Sequence, residues 1–352
     1  MLFPRYTIGK TATALRGFLK RKKDIMSTKD TVLELFEKNR GFFVSGERIA
    51  SELGISRTAV WKAVKKLQCE GYEIEAITNR GYCLAKSSDI LSVQGIRNYL
   101  DDNAASLRPE VFVTVDSTNN VCMKKAGQGE DEGYTAIAGA QTKGRGRRGR
   151  GFFSPADTGI YLSILLRPDA YPGTQVLRLT TMAAVAVCEA TEKLSGKTAG
   201  IKWVNDVYIG GKKVCGILSE ASYALEDGRL DCVVVGIGIN AYKPKGGFPR
   251  EISARAGCVF DHQSAGKRNQ LAAEVLNRFM AYYRSGSTDD HFEAYRQRSL
   301  VLGKDIEISK NDVVRKARAT GLDEDCGLIV RYEDGSEAVL KSGEVSIVGI
   351  EN

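Results

Sequence analysis

Between Thr142 and Phe153 the chain reads KGRGRRGRGF: Lys143, Arg145, Arg147, Arg148 and Arg150 are interleaved with Gly144, Gly146, Gly149 and Gly151, with no acid among them. Apolar runs flank it, YTAIAGAQ before and GIYLSILL after. The segment is therefore one short loop inside a patterned globular region, not a low-complexity Gly-Arg tail of the kind that binds RNA. Backbone N–H groups and guanidinium forks in such a loop wrap phosphate and carboxylate oxygens. Arginine suits the task because its planar fork grips these anions bidentately and stays charged.

Composition narrows what can surround this loop. At 352 residues, 43% of them apolar, the chain can bury the cores of two or three domains. Its apolar runs fall short of the ~18 residues of a membrane span. Cys69, Cys83, Cys122, Cys188, Cys215, Cys232, Cys258 and Cys326 are scattered without a C-x-x-C pair. That fits free thiols in a reducing cytoplasm better than disulfides or a zinc site. His262 and His291 are the only histidines and lie far apart in polar surroundings, which argues against a His-based triad or metal centre. The net charge of +8 comes largely from residues 1–26, where seven Lys/Arg face one acid. This extension lacks a signal-peptide core. It reads as a flexible tail ahead of a start at Met26, with a transit peptide as the other reading.

Residues 27–88 read as a DNA-binding domain. A short amphipathic helix covers Thr31–Lys38. Ser45 can cap GERIASEL, with Glu47 in its first turn, and Gly54 ends it. Ser56 then caps RTAVWKAVKKL, which puts Val60, Val64 and Leu67 on one face and Arg57, Thr58, Trp61, Lys62 and Lys65 on the other. Helix, short Gly-containing turn, helix is the helix-turn-helix pattern. Its second helix has the basic, acid-free outer face that insertion into a major groove requires. YEIEAITNRGYCL follows as two strands around a turn at Asn79–Gly81, the wing of a winged helix. Ser56, Arg57, Thr58, Trp61, Lys62 and Lys65 are the candidate DNA contacts.

Residues 89–299 mix strands and helices as an α+β core does, not as a regular βαβ array. SVQGIRNYLDD and VLRLTTMAAVAVCEATEKL read as helices; VFVTV, YTAIAGAQ, GIYLSILL and IKWV read as strands. VYIGGKKVCGILSEA is a hairpin turning at Gly210–Gly211, LDCVVVGIGIN a buried strand, and residues 268–298 are helical in pattern. Residues 300–352 alternate short strands with turns, as in a small β-barrel. Two motifs are decoys. SGKT at 195–198 has Thr191 where a phosphate-binding P-loop needs glycine, and it follows a helix. GIGINA at 236–241 half-fits a dinucleotide fingerprint, but KPKGGFP follows where a helix should begin. Its glycines still admit close approach of a nucleotide to the backbone.

No Ser-His-Asp set, reactive-thiol motif or metal cluster emerges. What remains is a set of anion-binding and amide-recognising residues: Ser117, Thr118, Asn119, Gln141, the Gly-Arg loop and Lys202. Such a set suits a reaction whose substrate supplies its own nucleophile, as when a carboxylate attacks the α-phosphate of ATP. The protein then holds two anions together and neutralises charge on the phosphorus oxygens and the departing pyrophosphate. Mg2+ would assist, bound largely through the phosphates. Ser117, Thr118 and Asn119 also fit a turn and helix cap. Trp203 fits core, and Asp206 fits a structural role or help in placing a metal. Lys202 in an apolar strand is harder to explain as structure alone.

The motifs DSTN at 116–119, QTKGRGRRGR at 141–150, KWVND at 202–206, GILSE at 216–220 and GIGIN at 236–240 together resemble those of biotin–protein ligases. With the winged helix and the small C-terminal β domain, the chain is similar, over roughly residues 28–350, to the bifunctional bacterial type that joins ligase and biotin operon repressor. The resemblance implies an α+β fold: a winged helix-turn-helix, a central mixed-sheet ligase domain of class II synthetase-like form, and a C-terminal SH3-like β-barrel. It implies that biotin and ATP give biotinyl-5′-AMP, and that a lysine of a biotin carboxyl carrier protein, as in acetyl-CoA carboxylase, takes the biotin and releases AMP. It also implies roles. Ser117, Thr118, Asn119 and Gln141 line the biotin pocket, where a neutral urea needs donors and acceptors. Arg145, Gly146 and Arg147 sit at the biotin carboxylate and the reacting phosphate. Gly144, Arg147, Arg148, Arg150 and Asn240 serve the nucleotide. Lys202 bridges carboxylate and α-phosphate oxygens and, with Arg147, is catalytic. No residue is assigned as a metal ligand. Val204 stands where many relatives have proline, Gly151 and Phe152 replace a Lys-Trp pair, and Thr320 stands near an arginine of some members.

In such proteins the adenylate is also the corepressor. It orders loops and favours a homodimer that offers two winged helices to a two-fold operator. The expected setting is the cytoplasm, with no membrane partner. The alternative readings are a biotin-sensing transcription factor without ligase activity, a ligase for a related acid such as lipoate or octanoate, and a ligase whose winged helix is vestigial. Lys202 and the intact Gly-Arg loop argue against the first, and the pairing of DSTN with GRGRRGR favours biotin.

Overall fold

A serine starts each of the first three helices. Ser27 precedes α1 (Thr28–Lys38), Ser45 precedes α2 (Gly46–Leu53) and Ser56 precedes α3 (Arg57–Cys69). Each Oγ accepts the N–H three residues on, at 3.1–3.2 Å. The cap at Ser27 starts α1 three residues before Thr31, where the apolar periodicity alone would begin it. The structure, a computed structural model, describes residues 26–168, 176–223, 230–264, 266–285, 289–310 and 313–348. The readings made of residues 1–25 lie outside them. The chain divides into two units, Met1–Ser88 and Asp89–Asn352.

In the first unit, Val32, Leu33 and Phe36 of α1, Ile49 of α2, and Val60, Val64 and Leu67 of α3 are buried. Gly54 ends α2 in the left-handed conformation, with φ of +69°. β1 (Ile74–Ile77) and β2 (Gly81–Leu84) pair antiparallel around a turn that holds Asn79 at φ +63°. Gly81 packs on the Val44 carbonyl with φ of +98°, a place no side chain fits. This is the helix-turn-helix with its hairpin.

In the second unit, β3 (Arg108–Val115), β4 (Tyr134–Gln141), β5 (Gly159–Leu166), β6 (Ala199–Lys202), β7 (Asp206–Ile209), β8 (Lys212–Tyr223) and β9 (Leu230–Asn240) form one mixed sheet. Its order is β3-β4-β5-β9-β8-β7-β6. β3 and β4 are parallel and the other ladders antiparallel. The crossover that a parallel pair needs is α5 (Thr118–Gly127). The expected helix SVQGIRNYLDD is only α4 (Val93–Arg97), because Asp101 caps a separate 3-10 turn at Asp102–Ala104. IKWV pairs only as far as Lys202, opposite Asp206, and the chain then turns through Trp203–Asn205. The β7–β8 hairpin turns at Gly210 and Gly211, with φ of +57° and +75°, as a two-residue loop of the primed kind demands.

α6 (Val176–Ser195) and α8 (Lys267–Ser285) cover one face of the sheet, between them placing Met182, Ala183, Val187, Leu271, Val275 and Phe279 in the large core. Each such buried aliphatic or aromatic side chain contributes about 1.5–3 kcal/mol over exposure. α5 covers part of the opposite face with Cys122 and Ala126. The short α7 (Arg250–Ser253) precedes α8, and α9 (Asp289–Arg298) follows it. The single helical pattern over 268–298 is thus two helices, with the poor helix formers Gly286, Ser287 and Thr288 between them in sequence. SGKT marks the end of α6, where Gly196 takes φ of +70°.

β10 (Asp305–Lys310), β11 (Val313–Leu322), β12 (Leu328–Tyr332), β13 (Glu337–Leu340) and β14 (Glu344–Ile347) form an antiparallel sheet ordered β13-β12-β11-β10-β14. Its buried Ile306, Ala319, Leu328 and Val330 belong to the same apolar cluster as the central sheet. Trp203 is core, as read, and its Nε1 donates to the Cys326 carbonyl at 3.0 Å. No described helix is long and apolar enough to cross a membrane.

Candidate functional site

The site begins with what β8 and β9 lack. Ile217 on β8 and Ile237 and Ile239 on β9 point into the large core. The positions facing the other way are Gly216, Gly236 and Gly238, all lining a cavity of about 360 Å³. A Cβ on Gly238 would meet the Phe152 ring at 2.6 Å, and one on Gly236 would strike the Asn119 side-chain amide. The glycines let side chains from other elements lie on the bare sheet. Phe152, edge-on to Tyr161 with centroids 6.4 Å apart, fills part of that space.

One end of the cavity is polar and neutral. Ser117 holds the N-cap position of α5, but its side chain makes no capping bond and lines the cavity instead. The Thr118 N–H donates to Gln141 Oε1 at 2.9 Å, and Gln141 Nε2 donates to Ser154 Oγ at 3.0 Å. Ser163 Oγ joins Thr118 Oγ1 at 2.7 Å and Asn119 Oδ1 at 2.6 Å. Asn119 Nδ2 donates to the Leu218 carbonyl at 3.1 Å and to Glu220 Oε2 at 2.7 Å. These bonds fix the orientation of the amides, so a ligand meets a set pattern of donors and acceptors.

The Gly-Arg loop closes over this end as a pinched turn. The Gly146 N–H donates to the Arg150 carbonyl at 2.7 Å, and that of Phe152 to the Gly144 carbonyl at 2.9 Å. Arg148 and Gly149 turn the chain at φ of +56° and +72°. Arg145 pairs with Glu220 at 2.7 Å. Arg147 Nη1 donates to Asn205 Oδ1 at 3.1 Å, and burial holds its guanidinium below the usual pKa against the pull of Asp206 and Glu344. Arg150 grips both oxygens of Glu344 on β14.

The far wall is cationic. Lys202 ends β6 half-buried. Burial holds its ammonium below the ordinary lysine value of 10.5; Asp206 opposes that shift and Lys213 adds to it. Lys213 Nζ lies 2.6 Å from Asp206 Oδ1. Asn240 ends β9 and donates from Nδ2 to the Gly257 carbonyl at 3.0 Å. In the first unit, Ser56, Arg57, Thr58, Trp61, Lys62 and Lys65 are all exposed on or beside α3, with Trp61 at 50%. The Ser56 hydroxyl is taken up by its cap.

Residues 28–83 match the HTH domain, residues 111–240 the biotin/lipoate A/B protein ligase family, and residues 301–348 the biotin protein ligase C terminal domain. The bifunctional ligase/repressor BirA of Bacillus subtilis is 33% identical over 317 residues, covering 88% of this chain and 95% of that one. The chain belongs to the bifunctional biotin ligase/repressor family. A biotin–[acetyl-CoA-carboxylase] ligase of Mycobacterium tuberculosis is 30% identical over 247 residues, 67% of this chain and 87% of that one. Among solved structures, a biotin protein ligase from Aquifex aeolicus in complex with biotin and ATP is 29% identical, with a TM-score of 0.55 over 68% of this chain and 97% of that chain.

In this member of the ligase/repressor family, Ser117, Thr118, Asn119, Gln141, Arg145, Gly146, Arg147, Arg150, Lys202 and Asn240 all line the one cavity. Gly144 does not: it packs against the Phe152 carbonyl and shapes the loop from behind. Arg148 does not either, since it turns to the C-terminal sheet, donating to the Ser309 carbonyl at 3.2 Å. Sequence reasoning missed Ser163, Lys213, Arg255 and Glu344, and gave no role to Asn205 and Glu220, which stand in the motifs KWVND and GILSE. Ser163 sits in the apolar run GIYLSILL, and a lone polar residue there was the available signal. Glu344, 194 residues from Arg150, left none. Replacing Glu344 by glutamine keeps its shape and removes the charge that occupies Arg150. Titration calorimetry at low salt should then show pyrophosphate binding the ligand-free protein about two- to fivefold more tightly, the scale of an exposed ion pair. Unchanged or weaker binding would mean that Glu344 does not compete for the loop.

Proposed function

We propose that the protein is a biotin–protein ligase that also represses biotin synthesis genes. It joins biotin and ATP into biotinyl-5′-AMP and passes the biotin to a lysine of a biotin carboxyl carrier protein. The observation that carries this reading is one cavity, in a member of the ligase/repressor family, that combines a neutral hydrogen-bonding end, the Gly-Arg loop and the half-buried Lys202. The ureido ring belongs at the neutral end, with Ser117, Thr118, Asn119 and Gln141. The biotin carboxylate and the α-phosphate meet between Lys202 and the Arg145–Arg147 side of the loop. Arg150 and Asn240 serve the nucleotide, Arg150 by exchanging Glu344 for phosphate. Arg148 and Gly144 act at one remove, by holding the loop.

A carboxylate oxygen attacks the α-phosphorus. The bond to the bridging oxygen breaks, and its electron pair leaves with pyrophosphate. Lys202 and Arg147 offset the repulsion between the two anions and the charge that builds on the phosphorus oxygens. The acceptor amine then attacks the acyl carbon, its proton goes to solvent, and AMP departs with the electrons of the acyl C–O bond. Mg2+, held largely through the triphosphate oxygens, would neutralise part of their charge. Among the described residues no group of three or more His, Cys, Asp or Glu could hold a metal by itself, and Asp206 is the carboxylate on the cavity wall beside Lys202.

We read the central sheet as class II synthetase-like and the C-terminal strands as an SH3-like barrel, as in the family. The free cysteines, all eight of them, favour the cytoplasm. The adenylate is the corepressor of a homodimer whose paired α3 helices enter successive major grooves of a two-fold operator. The acid-free face of α3 supports this reading.

Incubation of full-length protein, biotin and ATP with an acceptor domain should add biotin to one lysine by mass spectrometry; operator binding without any such product would select the sensor reading. Lys202→Ala should lose most adenylate formation while the fold persists by circular dichroism. Because burial lowers the Lys202 pKa, its charge is lost earlier as pH rises than that of an exposed lysine. The alkaline limb of activation should therefore fall below 10.5 and move up in Lys202→Arg. An unmoved limb would take Lys202 out of the step. Lys62→Ala and Lys65→Ala should each lower the salt slope of operator binding by about one. Sedimentation should show self-association tightening only when biotin and ATP are both present.

A further inference from the structure

β8 is irregular beside the cavity. Ile217 and Cys215 point into the core, and Gly216 between them faces the cavity. Strict alternation would put Val214 on the cavity face and Lys213 in the core. The ladder with β7 instead slips: Val207 pairs with Cys215 but Tyr208 pairs with Lys213, which leaves Val214 as the extra residue of a β-bulge. Val214 drops fully buried into the core, and Lys213 emerges on the cavity wall. Its side chain runs along the bare backbone of Gly216, where a Cβ would stand 3.4 Å from Lys213 Cε and Nζ.

Lys213 also pins a second segment. Its N–H donates to the Arg255 carbonyl and its carbonyl accepts the Gly257 N–H, both at 2.8 Å. That bridge keeps Arg255 on the cavity wall. Lys202, Lys213 and Arg255 thus line the cavity together, with Asp206 paired to Lys213 and Glu344 the other carboxylate of the lining. Across the cavity, Arg145 and Arg150 each hold a carboxylate already. These pairs can open, but Arg145 then serves the reacting end with Lys202 and Arg150 is one fork for one phosphate group, so the charge of two further phosphates calls for more cations.

We propose that Lys213, aimed by the bulge at Val214, and Arg255, held beside it, form the shelf that binds the departing pyrophosphate and, before it, the β- and γ-phosphates of ATP. This rests on the ligase reading above. Asp206 keeps the Lys213 ammonium in place while the shelf is empty, and the pyrophosphate oxygens then share it. The electron pair of the broken α-phosphorus–oxygen bond leaves on an oxygen that the shelf receives.

The test separates the two half-reactions in the full chain. Exchange of labelled pyrophosphate into ATP, with biotin present, reports on the shelf; transfer from preformed biotinyl-5′-AMP to an acceptor domain involves no pyrophosphate. Lys213→Ala should raise the KM for pyrophosphate about ten- to a hundredfold, the scale of a lost charged hydrogen bond. Arg255→Ala, at an exposed position, should raise it less, and Lys213→Arg should restore most of it. The defect should be confined to exchange. If Lys213 served only as counterion to Asp206, exchange and transfer would fall together with the pyrophosphate KM unmoved. That result, or an unchanged KM in both alanine variants, overturns the proposal. Should Lys213→Ala not fold, Arg255→Ala carries the test alone by the same KM. A parent protein that neither exchanges nor transfers would bring down the ligase reading itself, and the shelf with it.

Discussion

Three bare positions on adjacent strands decide what this protein can hold. Ile217, Ile237 and Ile239 fix the register of β8 and β9 by burying one face in the large core under α6. That register then puts Gly216, Gly236 and Gly238 together on the other face. A slip of one residue would turn isoleucines into the cavity and close it. Each strand glycine costs about 0.5–1 kcal/mol relative to alanine, and the burial of that face offsets this several times over. The ligand space is thus a by-product of which face the core needs filled.

The cations around that space are not idle in the ligand-free protein. Arg145 holds Glu220, Arg147 holds Asn205 and Arg150 holds Glu344. Two of these are ion pairs that solvent reaches, worth about 0–1 kcal/mol each. A phosphate or carboxylate that takes over such a fork gives up little in breaking the old pair. Lys202 and Arg147 differ, because burial disfavours their charge until an anion arrives. Binding energy in the site should come mainly from these two, with the exposed arginines adding selectivity for where the anions lie.

Legibility in the sequence followed range and regularity. The caps at Ser45 and Ser56, the stop at Gly54 and the buried face of α3 are local signals, and each element formed where its signal stood. The apolar runs of β4, β5 and β9 announced themselves in the same way. The neutral end of the cavity was readable because DSTN and Gln141 sit in short motifs. The bulge at Val214 was not, since KKVCGIL reads as an ordinary hairpin arm; only the ladder shows that two successive residues, Val214 and Cys215, share the core. The loop itself divided in a way its composition hides. Its arginines look equivalent, yet Arg148, at φ of +56°, turns away from the cavity while its neighbours line it.

Under the proposed function one ligand must act at two places, and the arginine pairs offer a physical route. A ligand shifts an equilibrium only by interacting differently with the two states. When adenylate phosphate draws Arg145 and Arg150 inward, Glu220 at the outer part of β8 loses its arginine and Glu344 at the start of β14 keeps only Arg148, 3.7 Å away. Both carboxylates are then less compensated than before, and the loop changes its partners without any change in the sheet that carries it. The charge pattern around the cavity mouth therefore differs between empty and filled protein, while the Ile-packed core stays the same. A dimer or an acceptor domain that reads this difference needs no long-range rearrangement of the fold, only contact with the rim where those carboxylates stand.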